Sequence, residues 1–339
     1  MASAAKGTFT TPFPYVVGRM MSLKSADGKD ISVTITKVYP LRYVYPPTPS
    51  TLMDVRIRTE KGFQKAMLKL FDRRFSDSRD PDAYASEYPH TQQTEAVWQD
   101  YVRRGSAEVL FDCFRRMGEE DGMRHMYHND ETTEWERIGG KEGYVCYCEQ
   151  TSHATEVQAY RELQPLQGRC IPRFMASVTL DMPSTPPDLP RTYFEIRGIL
   201  LQKVCGFKLL DLLHNLPNHP LAWEEIIQKA VDAAKEINRA GVIHKQPIPS
   251  NIVVARLDEH TFQSFIIDFS RAYFKWEYEV PDDVNDPDED GMHDQDSYLG
   301  AVQRFGNPGA AGYITVRKVE EATGYKLRIN YDYIRRVEV

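Results

Sequence analysis

The side chains best suited to chemistry lie in two short segments of the C-terminal half. The first, residues 241–251, holds His244, Gln246 and Asn251, and the second begins with Asp268 directly after an apolar run. The carboxylate of Asp268, at the end of a predicted strand, and the side-chain amide of Asn251 together offer the oxygen ligands that Mg²⁺ prefers. The pair therefore predicts a magnesium site, although Asn251 alone could be a turn residue and Asp268 alone a helix cap. His244 is expected to pack and hydrogen-bond within its loop rather than act as a base.

A single lysine interrupts an apolar strand in the N-terminal half. Lys69 stands within the segment 66–71, and every other residue of that segment is apolar. Burying an ammonium group is costly unless an opposite charge accompanies it. The sequence therefore predicts a buried ion pair here, with the alternative that Lys69 points to solvent on an alternating strand.

Hydrophobic periodicity predicts the elements that must position these residues. Alternation of apolar and polar side chains predicts a meander of antiparallel strands, then two helices and a polar stretch expected to be an exposed excursion. In order, these are strands at 31–37, 52–58 and 66–71, helices at 91–104 and 107–116, and the excursion at 118–143. Further elements are expected as a helix from 152, strands at 174–180 and 193–204, helices at 209–214 and 223–239, and brief strands at 252–254 and 265–267. Strands followed by a mainly helical portion predict an α+β protein of two lobes.

Composition excludes several classes of protein. The formal net charge of −7 argues against a nucleic-acid binder, whose phosphate contacts need a basic face. The N-terminal residues show neither a signal peptide nor an apolar run long enough to span a membrane. Five cysteines are too few and too odd in number for a disulfide framework, so a reducing, cytoplasmic location is expected. The acidic run at 282–296 lacks the pattern of an EF-hand and is expected to be a solvated loop.

Taken together, these stretches resemble the protein-kinase-like superfamily, and more narrowly the atypical kinase-like proteins common in filamentous fungi. The segments 241–251 and 268–270 are similar to the kinase catalytic and metal loops, H-R-D-L-x-x-x-N and D-F-G. Further similar stretches lie at 68–75, 156–174 and 200–206. The resemblance implies a bilobal protein-kinase-like fold. Its antiparallel-sheet N-lobe would span 1–204 with a long insertion at 76–150, and its short, mainly helical C-lobe would span 205–339.

The resemblance also implies a ligand and roles for individual residues. ATP with Mg²⁺ would bind through Lys69, Asn251, Asp268 and the hinge-like residues Gln202, Lys203 and Val204, with Asn251 and Asp268 as the metal ligands. Glu156 would be the ion-pair partner of Lys69. In place of a glycine-rich phosphate loop, residues 46–51 carry three prolines, which lack the N–H groups that cradle phosphate. Nucleotide affinity is therefore expected to be modest, or the ligand to differ from ATP.

Three departures from the kinase pattern divide the possible functions. Gln246 stands where the catalytic aspartate would accept the substrate proton, Ile248 replaces a lysine, and Ser270 replaces the glycine of D-F-G. The favoured interpretation is a pseudokinase or regulatory binding protein with Gln246 at the position of the base. One alternative is an active, atypical phosphotransferase or nucleotidyl-transferase acting on a small molecule. The other is a non-catalytic module that binds a protein partner.

Overall fold

Two compact units make up the chain. The computed structural model describes residues 11–39, 50–60, 62–76, 89–118, 132–181, 185–278 and 297–331. The first unit comprises Met1–His153 and Met175–Leu201, and the second comprises Ala154–Phe174 and Gln202–Val339. Residues 154–174 therefore cluster with the C-terminal unit, whereas the expected division had a single boundary after residue 204.

A closed β-barrel forms the core of the first unit. Its strands pair in the order β1-β2-β3-β4-β6-β5, and β5 returns to pair with β1 through Lys24 and Thr179. The strands are β1 (Met20–Ser25), β2 (Asp30–Val38), β3 (Thr51–Thr59), β4 (Gly62–Phe71), β5 (Phe174–Leu180) and β6 (Ile196–Gln202). Alternate residues fill the barrel, among them Val33, Ile35, Met53, Val55, Leu68 and Leu70. Strands with one apolar face close in this way because closure leaves no unpaired edge.

The barrel corrects the expected architecture. The α+β class is confirmed, and so are the strands predicted at 31–37, 52–58, 66–71 and 174–180. The expected bilobal protein-kinase-like fold is wrong, since a closed six-stranded barrel replaces the expected sheet of the N-lobe. Closure depends on β1, which the sequence analysis did not predict and which pairs with β2 on one side and β5 on the other.

Among the described residues, three helices lie in the first unit or begin within it. They are α1 (Gln92–Arg103), α2 (Ser106–Met117) and α3 (Glu134–Glu162). Thr91 caps α1 through a reciprocal hydrogen-bond pair with Thr94, so the helix predicted there is confirmed. The exposed excursion predicted at 118–143 is wrong from residue 134 onward, because α3 begins there. Gly143 makes close packing possible, since a Cβ at this position would lie 2.5 Å from a methyl carbon of Leu110.

Small sheets and helices share the second unit. A three-stranded sheet has the order β10-β9-β7, and a two-stranded sheet joins β11 and β8. These strands are β7 (Gly206–Lys208), β8 (Val242–Ile243), β9 (Ile252–Arg256), β10 (Phe262–Ile266) and β11 (Tyr273–Phe274). The helices in the described part of this unit are α4 (Leu212–Asn215), α5 (Pro220–Arg239), α6 (Tyr298–Arg304) and α7 (Gly309–Thr323). The buried face of α5, which includes Ile226, Ala230 and Val231, supplies much of the core, and Ser264 of β10 bonds to the carbonyl of Ile226 at 3.1 Å.

Candidate functional site

The loop after α5 is held by the two ring nitrogens of His244. Gly241, at φ +83°, ends the helical path, and β8 then leads into His244, which is 3% exposed. The Nδ1 atom accepts a hydrogen bond from the backbone N–H of Gln246 at 3.1 Å. The proton must then reside on Nε2, which donates to the carbonyl of Ile267 at 3.0 Å. With both nitrogens engaged, His244 organises the loop, as predicted, and is not placed to act as a base.

Asn251 and Asp268 are brought side by side by the β9–β10 hairpin. The antiparallel register ends at the pair Ile252 and Ile266. One further hydrogen bond, from the N–H of Ile267 to the carbonyl of Asn251 at 2.9 Å, extends the pairing past the strand ends. Asp268 is the next residue along the chain. The two residues predicted as magnesium ligands thus lie at one end of the same hairpin.

The side chain of Asn251 is oriented by its own hydrogen bond. Its Nδ2 donates to the backbone carbonyl of Gln246 at 3.1 Å. This bond uses the donor end of the amide and leaves Oδ1, the end that could ligate a cation, without a hydrogen-bond partner among the described residues. Asn251 is half-buried, so Oδ1 is held in place rather than free to rotate in solvent.

Asp268 adopts a backbone conformation that is uncommon for residues other than glycine. Its φ of +70° lies in the left-handed region, and Asn218 is the one other non-glycine residue of the described chain with a positive φ. Such strain is kept where the surroundings over-determine it, and it clusters at functional sites. Here the hydrogen bond of Ile267 fixes the chain before Asp268, and the fully buried Phe269 fixes it after. The hydroxyl of Ser270 donates to Asp268 Oδ1 at 2.7 Å, so the residue that replaces glycine orients the carboxylate.

An aromatic stack joins this loop to the C-terminal end of α3. The ring of Phe269 lies edge-on to His244 at 4.9 Å and to Tyr160 at 5.6 Å between centroids. Tyr160 also contacts Phe174, at 5.6 Å. Burial raises the pKa of the Tyr160 hydroxyl well above its usual range, and the negative charges of Glu156 and Asp268 raise it further. Glu156 and Asp268 therefore both lie within electrostatic reach of one hydroxyl.

Gln246 contributes its backbone to the site and presents a neutral side chain. Its N–H and carbonyl bond to His244 and Asn251, and the residue is half-buried. No described residue hydrogen-bonds its side-chain amide. A carboxamide cannot accept a proton at neutral pH, so at this position the chain supplies a hydrogen-bonding group and no base.

The remaining predicted site residues have mixed outcomes. Lys69, in the first unit, is 2% exposed, so the alternative that it points to solvent is wrong. Glu156, in the second unit, is fully buried, and its ion pair with Lys69 stays a prediction. Gln202 bonds Arg173 twice. Its backbone N–H donates to the carbonyl of Arg173 at 2.8 Å, and its Oε1 accepts from the N–H of Arg173 at 3.1 Å. Lys203 and Val204 are half-buried in the connection between β6 and β7.

The segment expected to replace a phosphate loop is described only at its end. Residues 46–49 of that segment lie outside the described residues, as does the acidic run at 282–296. Ser50 and Thr51 are 4% and 1% exposed at the start of β3. Their hydroxyls are therefore buried and not open to a phosphate in solvent.

The donor set suits a hard cation that retains other ligands. Within the described ranges no group of three or more His, Cys, Asp or Glu side chains could by itself hold a metal ion. One carboxylate oxygen and one amide oxygen are typical of a Mg²⁺ site, in which one or two protein oxygens bind the ion together with waters and phosphate oxygens. The residues present therefore fit Mg²⁺ as part of a phosphate complex better than as a lone structural ion.

A separate group of buried charges in the first unit was not predicted. Arg73 is 5% exposed and lies between two carboxylates, with Nη1 bonding Glu142 at 2.7 Å and Nη2 bonding Glu95. Burial alone would raise the pKa of Glu95, but the charge of Arg73 and the hydrogen bond from His90 hold it well below its usual range. A small open pocket adjoins Arg73. Since both carboxylates bond the one guanidinium, this cluster is explained as a structural ion-pair network.

Tyr160 and Ser270 are the site residues whose roles sequence reasoning missed. Tyr160 follows Glu156 by one helical turn, so the spacing alone would have placed both on one face of the helix. The sequence held no sign that its hydroxyl would be buried beside two carboxylates.

Comparisons with known proteins do not identify the chain. No family model matches it, and no curated protein matches it significantly. Among the described helices, none combines the length and the apolar character needed to cross a membrane.

Proposed function

We propose that the second unit binds a nucleotide, ATP or a close relative, as its Mg²⁺ complex at the ends of β9 and β10. Asn251 Oδ1 and the carboxylate of Asp268 would hold the cation. When bound, Mg²⁺ neutralises phosphate charge and fixes the position of the phosphates. The residues of this chain orient those two side chains through hydrogen bonds that Ile267 and Ser270 donate and that the carbonyl of Gln246 accepts.

One observation carries the proposal. The hydrogen bond between Ile267 N–H and the Asn251 carbonyl, 2.9 Å long, brings the backbone of Asn251 next to the residue before Asp268, whose own φ is positive. A positive φ also occurs at turn residues, but a turn would not need the Asn251 amide to be held by the carbonyl of Gln246. The likeness of segments 241–251 and 268–270 to kinase loops supports the choice of a nucleotide, although the barrel is not the sheet of a kinase.

The proposed role is binding or regulation rather than phosphoryl transfer. General-base assistance contributes roughly 10²–10⁴-fold to rate, and Gln246 cannot supply it. Both ring nitrogens of His244 are occupied, so His244 does not replace the missing carboxylate. We place the protein in the cytoplasm, because all five of its cysteines are free thiols.

Calorimetric titration of the purified chain with ATP, with and without Mg²⁺, tests the proposal. We expect wild type to bind more tightly with Mg²⁺ and Asp268→Asn to lose that metal-dependent part. Asp211→Asn is the matched control, because it makes the same chemical change at an exposed carboxylate of the same unit. An unchanged Mg²⁺ dependence in Asp268→Asn would exclude the assigned ligand, and absence of any nucleotide binding by wild type would exclude the function.

A further inference from the structure

Residues 325–331, here called the clamp segment, lie along α5 without forming a helix or a strand of their own. The N–H of Arg328 donates to the Glu224 carboxylate at 2.9 Å. The N–H of Asn330 donates to Gln228 Oε1 at 2.8 Å. Two residues of extended chain span about 6.6 Å and four residues of helix about 6 Å, so alternate amides of the clamp segment meet successive turns of α5.

Gln228 fastens the clamp segment with both ends of its side-chain amide. Besides accepting from the N–H of Asn330, it donates from Nε2 to the carbonyl of Asn330 at 3.2 Å. Lys235 Nζ, about two turns later on α5, donates to the same carbonyl at 3.0 Å. Because these bonds go to the backbone, they fix where the clamp segment lies.

The side chains of the clamp segment face α5 and α7 in alternation. Leu327, Ile329 and Tyr331 are half-buried, and the two residues between them are exposed. A Cβ at Gly312 of α7 would lie 3.0 Å from the Tyr331 hydroxyl oxygen and 2.8 Å from a methyl carbon of Val231 on α5. The two helices and the clamp segment therefore meet at Gly312, where the missing Cβ makes room for all three.

The packing of α7 on the rest of the unit is thin without this segment. The larger side chains Tyr313 and Ile314 are 64% and 43% exposed. Apolar stabilisation scales with the area buried, and a helix of this length is marginal by itself. The clamp segment therefore adds to a weak contact. The buried residues of α7 are all small, namely Ala311, Gly312, Thr315 and Val319.

The start of α7 is joined to the loop of the candidate site. Asn307, two residues before the helix, is fully buried, and its Nδ2 donates to the carbonyl of His244 at 2.8 Å. The helix also packs against the turn Pro249–Asn251. The loop between these two contacts carries Gln246, whose carbonyl orients the amide of Asn251. The position of α7 therefore bears on the position of a proposed cation ligand.

We infer that the clamp segment holds α7 in place and thereby positions the loop 244–251 for the proposed cation site. Gln228 is the positioning residue that fastens the segment, and it does not touch the cation. The effect on ligand binding rests on the proposed function, whereas the effect on the loop rests on the contacts of α5, α7 and the clamp segment alone.

Replacement of Gln228 by alanine tests the inference, with Gln158→Ala as the matched control. Both glutamines lie on helix surfaces of the same unit, and each donates to a carboxylate one turn later, Gln228 to Asp232 at 2.9 Å and Gln158 to Glu162 at 2.6 Å. Only Gln228 also bonds the clamp segment. The two variants therefore share every change except the loss of that fastening.

Hydrogen exchange of the intact chain without divalent cation measures the coupling. We expect the amide of Asn330 to exchange faster in Gln228→Ala, and with it the amides of Gln246 and Ile267, which are hydrogen-bonded in the site. Amides within β9 and β10 should keep their wild-type rates, because a local opening leaves the strands intact. Gln158→Ala should exchange like wild type throughout.

Titration with Mn²⁺ in the presence of ATP measures the consequence for binding. Affinity should fall roughly 2–30-fold in Gln228→Ala, the range typical of residues that act on a site through packed neighbours. Gln158→Ala should bind like wild type.

Each other outcome has a defined meaning. If the amides of Gln246 and Ile267 keep their wild-type rates in Gln228→Ala, the inference is wrong. Equal acceleration throughout β9 and β10, or failure to fold, would reveal a general contribution to stability and would also overturn it. If the loop loosens but Mn²⁺ with ATP binds as in wild type, the positioning role falls and the proposed function stands. If wild type binds no Mn²⁺ with ATP, the proposed function falls, and the exchange rates decide whether the clamp segment holds the loop.

Discussion

Replacement of Asp268 by alanine and by glycine separates backbone strain from ligand chemistry. Both variants remove the carboxylate, so both lose the proposed cation ligand and the 2.7 Å hydrogen bond from Ser270. They differ in how the new residue tolerates a φ of +70°. Alanine retains a Cβ, which costs about 1–2 kcal/mol in the left-handed region, whereas glycine adopts it freely.

The expected magnitude follows from opposing terms. Loss of a hydrogen bond to a charged acceptor costs about 1.5–3 kcal/mol in both variants. Glycine loses more chain entropy on folding, about 0.5–1 kcal/mol relative to alanine. The backbone strain of alanine exceeds the entropy cost of glycine by about 0.5–1 kcal/mol. Asp268→Gly should therefore be more stable than Asp268→Ala by that amount. This order is opposite to that expected at an ordinary position, where alanine stabilises relative to glycine.

Urea denaturation without divalent cation measures the difference. The midpoint should fall in both variants, and fall further in Asp268→Ala, with similar slopes. Asp232→Ala and Asp232→Gly provide the comparison at an exposed position inside α5 with no positive φ, where alanine should be the more stable. If alanine is also the more stable residue at position 268, then the backbone there is not strained and the argument from strain to function fails.

Three further predictions concern catalysis, packing and pH. Gln246→Asp should raise ATP hydrolysis by up to roughly 10²–10⁴-fold if a lost base is what limits the rate. Robust turnover by wild type, measured by phosphate release, would instead favour the alternative of an active phosphotransferase. Gly206→Ala should lower the thermal midpoint strongly, because the new Cβ would lie 2.0 Å from the carbonyl oxygen of Val254. Glu95→Gln should be less stable than wild type at neutral pH. The difference should shrink as the pH falls below about 4.3, the unfolded pKa of glutamate. The folded pKa of Glu95 is held low beside Arg73, so its stabilising contribution is present above that pH and is lost on acidification. A difference between wild type and Glu95→Gln that stays constant down to pH 3 would contradict the pairing.

Local pattern predicted the strands of the barrel but not its closure. Alternation in β2, β3 and β4 is visible because every second residue is buried in one core. Closure depends on β1, where Met20 is 68% exposed while Met21 and Leu23 are buried. This alternation covers too few residues to be recognised as a strand from the sequence. A strand so short is specified by its two neighbours, which a single-sequence pattern does not contain.

The helix α3 was missed at its start for a different reason. Gly139, Gly140 and Gly143 lower intrinsic helix propensity there, and the sequence around them is polar. In the folded chain a Cβ at Gly139 would lie 2.2 Å from the Tyr101 ring. Glycine is thus required by packing against α1 at the place where its propensity disfavours a helix. Tertiary packing outweighs a local preference of about 1 kcal/mol per glycine.

Burial alone does not distinguish the glutamate of the candidate site. Glu142, Glu149 and Glu156 recur at seven-residue spacing along α3, and they are 0%, 3% and 0% exposed. Such spacing keeps side chains on nearly the same face of a helix. Glu142 has a structural explanation, since Arg73 bonds to it at 2.7 Å. Glu156 differs in its neighbours, because Tyr160 one turn later carries a hydroxyl that both Glu156 and Asp268 influence. Burial of a carboxylate is therefore common along this helix and does not by itself indicate a functional site. A buried hydroxyl with no hydrogen-bond partner in the described chain, beside two carboxylates and a strained loop, is what marks the site.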